Sequence, residues 1–555
     1  MTSAASLRPL QYPQSEADVV ALVRAAAASG RQLRVRGSGH SPAAAIGADR
    51  SHAIELSLDR YRAWWVLDEE RRLIEVQAGI NLGRDPSHPR GEATVERSLL
   101  WQLWHERGWA LSITGGITHQ TVAGFLSTGS SGGSTRHSLT HDVVAVRIVD
   151  GRGEVHVLSR DDEDRGAFDA VLPSMGLLGV ISTVTFQCIE AFTISGQEAI
   201  TIPARSAVDV FGPGGFGRPS LEDFLRGVEY TRLEWWPQRG AERLLIWQAQ
   251  RTRPEPGFLP VRYEQFTAWP LFAEPLIGLL YTLFGNLEDL EHAQQVLREH
   301  TEHLDRVLAR LSADGHLRPR GRALARALGS ALRTVARSVP ALQPLTPALQ
   351  RAIPRLFPML LDLVLPVDTH KRGMHHREPQ AFSDWSWHGL PMDNQASDVL
   401  LATEFTELWS PLPRAGEVVR LVREYFAAPA DSREAYGRTG LYAYELYAAP
   451  PHAGWLHPGH SNGHDEWRDG AFRLDVYWYA ANAADPHETF FPQFWRLLRD
   501  HGIPFRLHWG KHLPGAWTDQ LAAQYPRWMD WLALRARMDP DGVFLTDYWR
   551  DHLGV

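Results

Sequence analysis

Over roughly the first 195 residues the hydrophobic positions switch repeatedly between helical and strand spacing. Ser15 precedes EADVVALVRAAAASG, with Asp18 three residues on and Gly30 at the far end, which predicts a capped helix with a glycine stop. QLRVRG reads as a short strand entering a glycine turn, and AIELSLD and LIEVQAGI as further strands. SLLWQLWHERGW has helical spacing. HDVVAVRIVDGRGEVHVLS places two β-branched runs around Asp150-Gly151, a hairpin signature, and GLLGVISTVTFQCI closes the region with a buried strand. The predicted class is α+β.

From 196 to 480 the pattern changes. Strand-like runs recur at DVLLATEFTELW, LYAYELYA and FRLDVYWYAA, and NLEDLEHAQQVLREHTEHLDRVLARL and RALARALGSALRTVARSV have apolar residues at helical spacing. This predicts a second domain, a sheet with a helical insertion at about 275–375. Residues 481–555 begin with the helix FPQFWRLLRDHG, continue through PFRLHWGKHLP and end with the turn DPDGVF.

The chain has 555 residues and a formal net charge of -8, so the basic face of a nucleic-acid binder is not expected. A single cysteine, Cys188, rules out an intrachain disulfide and fits a reducing, cytoplasmic setting. PLIGLLYTLFG and RLFPMLLDLVLP are too short to span a bilayer; core packing is the simpler reading, with peripheral membrane contact left open. No metal site is expected.

Three glycine-rich segments carry candidate chemistry. In Arg36, Gly37, Ser38, Gly39, His40, Ser41, the glycines let the backbone approach a flat or anionic ligand and expose amides that cradle phosphate. No GxGxxG leads into a helix, so this is not a dinucleotide fingerprint of the Rossmann type. Between Thr114 and Ser138, glycines alternate with small hydroxyl residues. Val122, Phe125 and Leu126 among them imply a buried, ordered segment rather than a linker. In GLLGVISTVTF, Gly176 and Gly179 precede a strand.

Together, across residues 5 to 192, the three segments resemble the vanillyl-alcohol oxidase superfamily with its PCMH-type FAD-binding domain. The resemblance implies a two-domain fold, a PCMH-type FAD domain over 1–195, a substrate-binding cap over 196–480, and a tail over 481–555 that completes the flavin site. It implies FAD, joined covalently to His40. The cofactor-binding set it implies is Arg36, Gly37, Ser38, Gly39, Ser41, Gly115, Gly116, Thr118, Gly124, Thr128, Gly129, Ser131, Gly179, Val180 and His508. Ser131 stands where related oxidases often have histidine, and Cys188 is out of place for a second covalent bond.

Two downstream segments point the same way. FRLHWGKHLP resembles the H-W-x-K element of aldonolactone and alditol oxidases, followed here by Tyr525, Pro526, Arg535, Asp539, Pro540, Gly542 and Phe544. A lysine there, Lys511, would face negative charge developing on a flavin, or act as a base. In LYAYELYAA, Glu445 holds the glutamate of the family's E-x-R, and Tyr447 replaces the arginine. Strand alternation puts both on one face.

The implied activity is FAD-dependent oxidation of a CH–OH group, with Lys511, Glu445 and Tyr447 at the reacting centre and oxygen or another acceptor taking the electrons. The leading substrate class is an aldonolactone or alditol. EWWP, DWSWHG and DVLLATEF resemble the cap of covalent-flavin cholesterol oxidases, and with Tyr447 this keeps a sterol or other apolar alcohol as the alternative. A third reading is a flavin-binding protein without turnover.

Overall fold

A computed structural model describes residues 10–263 and 379–555, except 86–87, 89–90, 393–402, 428–438, 462–465, 481, 483 and 516–517, together with scattered positions between 264 and 378. The predicted helical insertion at 275–375 lies outside the described residues.

The chain opens with helix α1 (Glu16–Ala28). Ser15 and Asp18 form a reciprocal capping box, Val19, Val23 and Ala26 turn one stripe into the core, and Gly30 leaves the helix at φ +60°. Strand β1 (Leu33–Arg36) pairs in parallel with β2 (Ile54–Ser57). Next to them lies an antiparallel sheet of β3 (Trp64–Asp68), β4 (Leu73–Gln77), β6 (Val143–Val149), β7 (Val155–Ser159) and β8 (Val180–Gln187), in the order β3-β4-β8-β6-β7. Short strands β5 (Trp109–Ala110) and β9 (Ile189–Glu190) pair beside it. The β6–β7 hairpin turns at Asp150-Gly151 as predicted, and the Asp150 carboxylate accepts from the Arg152 and Glu154 amides. The GLLGVIS run becomes β8, buried along most of its length at the centre of the sheet.

Eight strands build the second sheet: β10 (Thr193–Thr201), β11 (Tyr230–Trp236), β12 (Arg243–Thr252), β13 (Gln380–Trp385), β14 (Thr403–Pro411), β15 (Leu441–Ala449), β16 (Ala471–Tyr479) and β17 (Arg506–Leu507). Their order is β13-β10-β12-β11-β15-β16-β14-β17. The tail supplies edge strand β17 and then runs back to the start of the chain. There Leu33 N–H donates to Val543 O, and Arg34 donates to Phe544 O. One apolar core is continuous through both sheets. No described helix is long and apolar enough to cross a membrane.

Candidate functional site

A cavity of about 300 Å³ opens where the three glycine segments converge. The turn after β1 contributes Arg36, Gly37, Ser38, Gly39, His40 and Ser41 to its wall. Gly124 and Thr128 enter from the helix Val122–Thr128, which Thr121 caps, and Gly179 and Val180 from the start of β8. Trp509 and Trp549 of the tail close it. Gly37 and Gly179 are required by space, and Gly39 by its positive φ of +85°. A Cβ on Gly37 would lie 2.9 Å from Thr121 Oγ1, and one on Gly179, at φ +151°, would lie 2.4 Å from Val149 O. Ser38 donates to His119 O at 2.6 Å, and the His40 and His119 rings sit 3.9 Å apart. A narrow, amide-rich cradle beside an arginine fits a flat dinucleotide.

Other predicted positions fall elsewhere. Gly129 ends the helix in the left-handed region, against Pro458. Thr118 lies under the turn, its carbonyl accepting from Gly83 N–H. Gly115 and Gly116 line a second, smaller gap of about 20 Å³, shared with Gly132, Gly133 and Tyr447. The small-residue segment there wedges into the second sheet: Thr231 N–H donates to Gly133 O at 2.8 Å, and Ser134 N–H to Ala448 O at 2.9 Å. A Cβ on Gly133 would fall 1.9 Å from Thr231 O, so a side chain would drive the two sheets apart.

The tail turn reaches the same place. A Cβ at Gly510 would lie 3.1 Å from Ser41 Oγ, so the His40 turn and the Lys511 turn are in contact. His508 anchors that turn, its Nδ1 accepting from Gly510 N–H and its carbonyl from Lys511 N–H. Lys511 Nζ rests 4.1 Å from the centre of the Phe405 ring.

Strand register then assembles what no local motif displays. Glu234 pairs with Glu445, Glu445 with Asp475, and Asp475 with Glu407, so four carboxyl groups stand side by side across β11, β15, β16 and β14. Two residues along, Tyr447 pairs with Arg473 and Arg473 with Trp409. Arg473 bonds Asp475 at 3.0 Å and Glu407 at 3.1 Å, and donates to Ser131 O at 2.7 Å. Tyr447 hydroxyl donates to Glu445 at 2.7 Å. The loss of an arginine at 447 was expected to make this face less polar. Instead a guanidinium arrives from the neighbouring strand, and Arg232 lies on the other side of Tyr447. The alternation of Arg473 and Asp475 in FRLDVYWYAA was the signal available for it.

Like charges this close cannot all ionise. Burial, with the charges of Asp475 and Glu234 behind it, pushes the Glu445 carboxyl up to about 8. Burial raises Asp475 to about 6 against the pull of Arg473. Burial pulls the Lys511 ammonium down, opposed by Glu407 and Asp475. The Arg473 cation is disfavoured by burial, but Asp475 and Glu407 outweigh that. His508 is held well below its usual range by burial and by the Lys511 and Arg473 charges. The arrangement is a buried cluster of carboxyl and cationic groups beside the small-residue segment Ser131–Gly133. Away from it, Asp150, Glu154 and His156 approach one another at the hairpin turn, where the Asp150 carboxylate is already engaged in holding the turn.

The glycine-walled cavity thus lies between the β1 turn, the helix Val122–Thr128, the start of β8 and the returning tail. A family model described as FAD binding domain matches residues 9–84. A model described as D-arabinono-1,4-lactone oxidase matches 468–552. The D-arabinono-1,4-lactone oxidase of Eremothecium gossypii is 31% identical over 255 residues, 44% of this chain and 42% of that one. The L-gulonolactone oxidase of Mus musculus is 26% identical over 246 residues, 44% of this chain and 49% of that one. The chain thus spans less than half the length of these relatives. In fold it is similar to the cholesterol oxidase of B. sterolicum, with a TM-score of 0.66 at 15% identity over 98% of this chain and 93% of that one.

Proposed function

We propose that the protein is an FAD-dependent oxidase of CH–OH groups whose substrates are aldonolactones or alditols. The observation that carries this reading is the contact between the His40 turn and the Lys511 turn, beside the buried cluster of Glu445, Asp475 and Arg473. The FAD domain is taken as 1–195, the cap as 196–480 and the completing tail as 481–555.

FAD, when bound, supplies the acceptor for the carbinol hydride, with oxygen as the final electron acceptor. Arg36, Gly37, Ser38, Gly39, Ser41, Gly124, Thr128, Gly179 and Val180 would hold it along the larger cavity, with Gly115 and Gly116 at the smaller gap and Ser131 and His508 beside Arg473 and Lys511. His40, exposed on the cavity wall, would be the point of covalent attachment. Glu445 and Asp475 share protons across the strand pair and receive the one that leaves the substrate hydroxyl. Lys511 supplies positive charge next to that oxygen. Tyr447 fixes the Glu445 carboxyl in place. Arg473 holds the base in the cap against the Ser131 backbone of the FAD domain. A cytoplasmic setting accords with a lone, buried thiol at Cys188.

The apolar-alcohol reading draws on the fold likeness and on the tryptophans of the cap. The buried arginines beside Tyr447 favour an oxygen-rich substrate over it.

The test is anaerobic bleaching of the flavin by D-arabinono-1,4-lactone, L-gulonolactone, xylitol and cholesterol, with peroxide release measured in air. Bleaching by the first three supports the proposal; bleaching by cholesterol alone replaces it. Acid precipitation checks the attachment: His40→Ala should release the yellow colour, and colour retained in that variant rejects His40.

A further inference from the structure

The small gap between Gly116, Gly133 and Tyr447 is lined by Thr114, Thr231 and Arg232, all three buried. Arg232 is held firmly: its guanidinium packs 4.8 Å from the centre of the Trp247 ring and donates to the Tyr263 hydroxyl at 2.9 Å. Yet Arg232 Nε has no partner, and neither does Thr114 Oγ1 or Thr231 Oγ1. An arginine cannot shed its charge, and a buried donor left unmade keeps its desolvation cost. Arg232 and Thr114 both line this gap and each carries an unsatisfied buried polar atom, which calls for a ligand atom. The gap, about 20 Å³, has room for one oxygen-sized group.

Position points to the source of that oxygen. Leu233 pairs with Leu446, so Arg232 lies beside Tyr447, which bonds Glu445. The gap is therefore one side chain from the carboxyl assigned to the reacting hydroxyl. It is distinct from the larger cavity, whose lining does not include Arg232.

We propose that this gap is a subsite for a second oxygen of the substrate, a hydroxyl or lactone carbonyl adjacent to the carbon being oxidised, and that Arg232 is the residue that selects for it. This rests on the reading of the site as a CH–OH oxidase. A polyol or hydroxylactone satisfies the Arg232 N–H; a substrate with a single hydroxyl leaves it bare, which is the kind of loss that discriminates strongly.

The experiment is anaerobic stopped-flow reduction of the holoenzyme flavin by D-arabinono-1,4-lactone, xylitol and cyclohexanol, in the wild type and in Arg232→Met. The wild type should half-saturate with the oxygen-rich substrates at concentrations at least about tenfold below that for cyclohexanol. Arg232→Met should raise the half-saturating concentration of the oxygen-rich pair by about tenfold or more, leave cyclohexanol within about twofold, and leave the flavin absorption spectrum unchanged. Equal losses on all three substrates, or a shifted flavin spectrum, assign Arg232 to the fold or the cofactor and overturn the proposal. If Arg232→Met does not fold, Thr114→Val is held to the same differential pattern. A wild-type flavin that no alcohol or lactone bleaches defeats the oxidase reading itself, a result distinct from an undiscriminating Arg232 variant.

Discussion

Tyr447 and Arg473 stand opposite each other on neighbouring antiparallel strands, the guanidinium carbon 4.4 Å from the centre of the tyrosine ring. The pairing puts a fixed positive charge where Glu445's own strand has none. Arg473 bonds two carboxylates and a backbone carbonyl at once. Removing it takes from Asp475 and Glu407 the cation that bonds them both, in a buried site. Breaking such a pair costs about 3–5 kcal/mol, so Arg473→Met should lose that much in denaturant unfolding, and Arg473→Lys should recover part of it. A loss below about 1 kcal/mol would mean that the carboxyls do not depend on this cation.

Lys511 meets the cluster from the tail. Its charge is held in a buried setting between Phe405 and the carboxylates. If it stabilises charge on the reacting oxygen, Lys511→Met should slow anaerobic flavin reduction by at least about tenfold, a loss of roughly 1.4 kcal/mol in the transition state. The half-saturating substrate concentration should move far less. An unchanged reduction rate removes Lys511 from the chemistry.

Part of this was readable from sequence. The order of the three glycine segments and the FRLHWGKHLP tail predicted that residues around 40 and 511 meet, and Ser41 and Gly510 are in contact. The capped helix and the Asp150-Gly151 hairpin followed from local rules, because their signals lie within a few residues. The carboxyl ladder was not legible. It depends on which residue of β11 faces which of β15, and register between strands some 200 residues apart leaves no local trace. The alternation of Arg473 with Asp475 is visible in the sequence, but that Arg473 faces Tyr447 on another strand is shown only by the pairing.

The wedge at Gly133 offers a test of packing. A methyl there would lie 1.9 Å from Thr231 O, which is backbone and cannot swing aside. Gly133→Ala should destabilise the protein by about 1–3 kcal/mol through overpacking and weaken flavin retention after gel filtration. Full stability in that variant would show that the segment does not enter the sheet as described.

The last expectation concerns pH. Glu445 is raised in the folded chain to about 8, and Asp475 to about 6. A carboxyl with a raised folded pKa binds a proton that the unfolded chain has already released. Its contribution to stability is therefore complete below the unfolded pKa and is lost as pH rises through the folded one. For Asp475 the decline runs from its ordinary value of 3.8 to about 6, and for Glu445 from 4.5 to about 8. Unfolding free energy should fall across that window, and Glu445→Gln should flatten the portion between 6 and 8. Activity should run the opposite way. A proton acceptor must be vacant, so the flavin-reduction rate should rise between pH 6 and 8, and in Glu445→Gln the upper part of that rise should disappear. A rate that is flat in the wild type over this range, with stability falling as described, would place the carboxyls in the fold and hand the base role to Lys511.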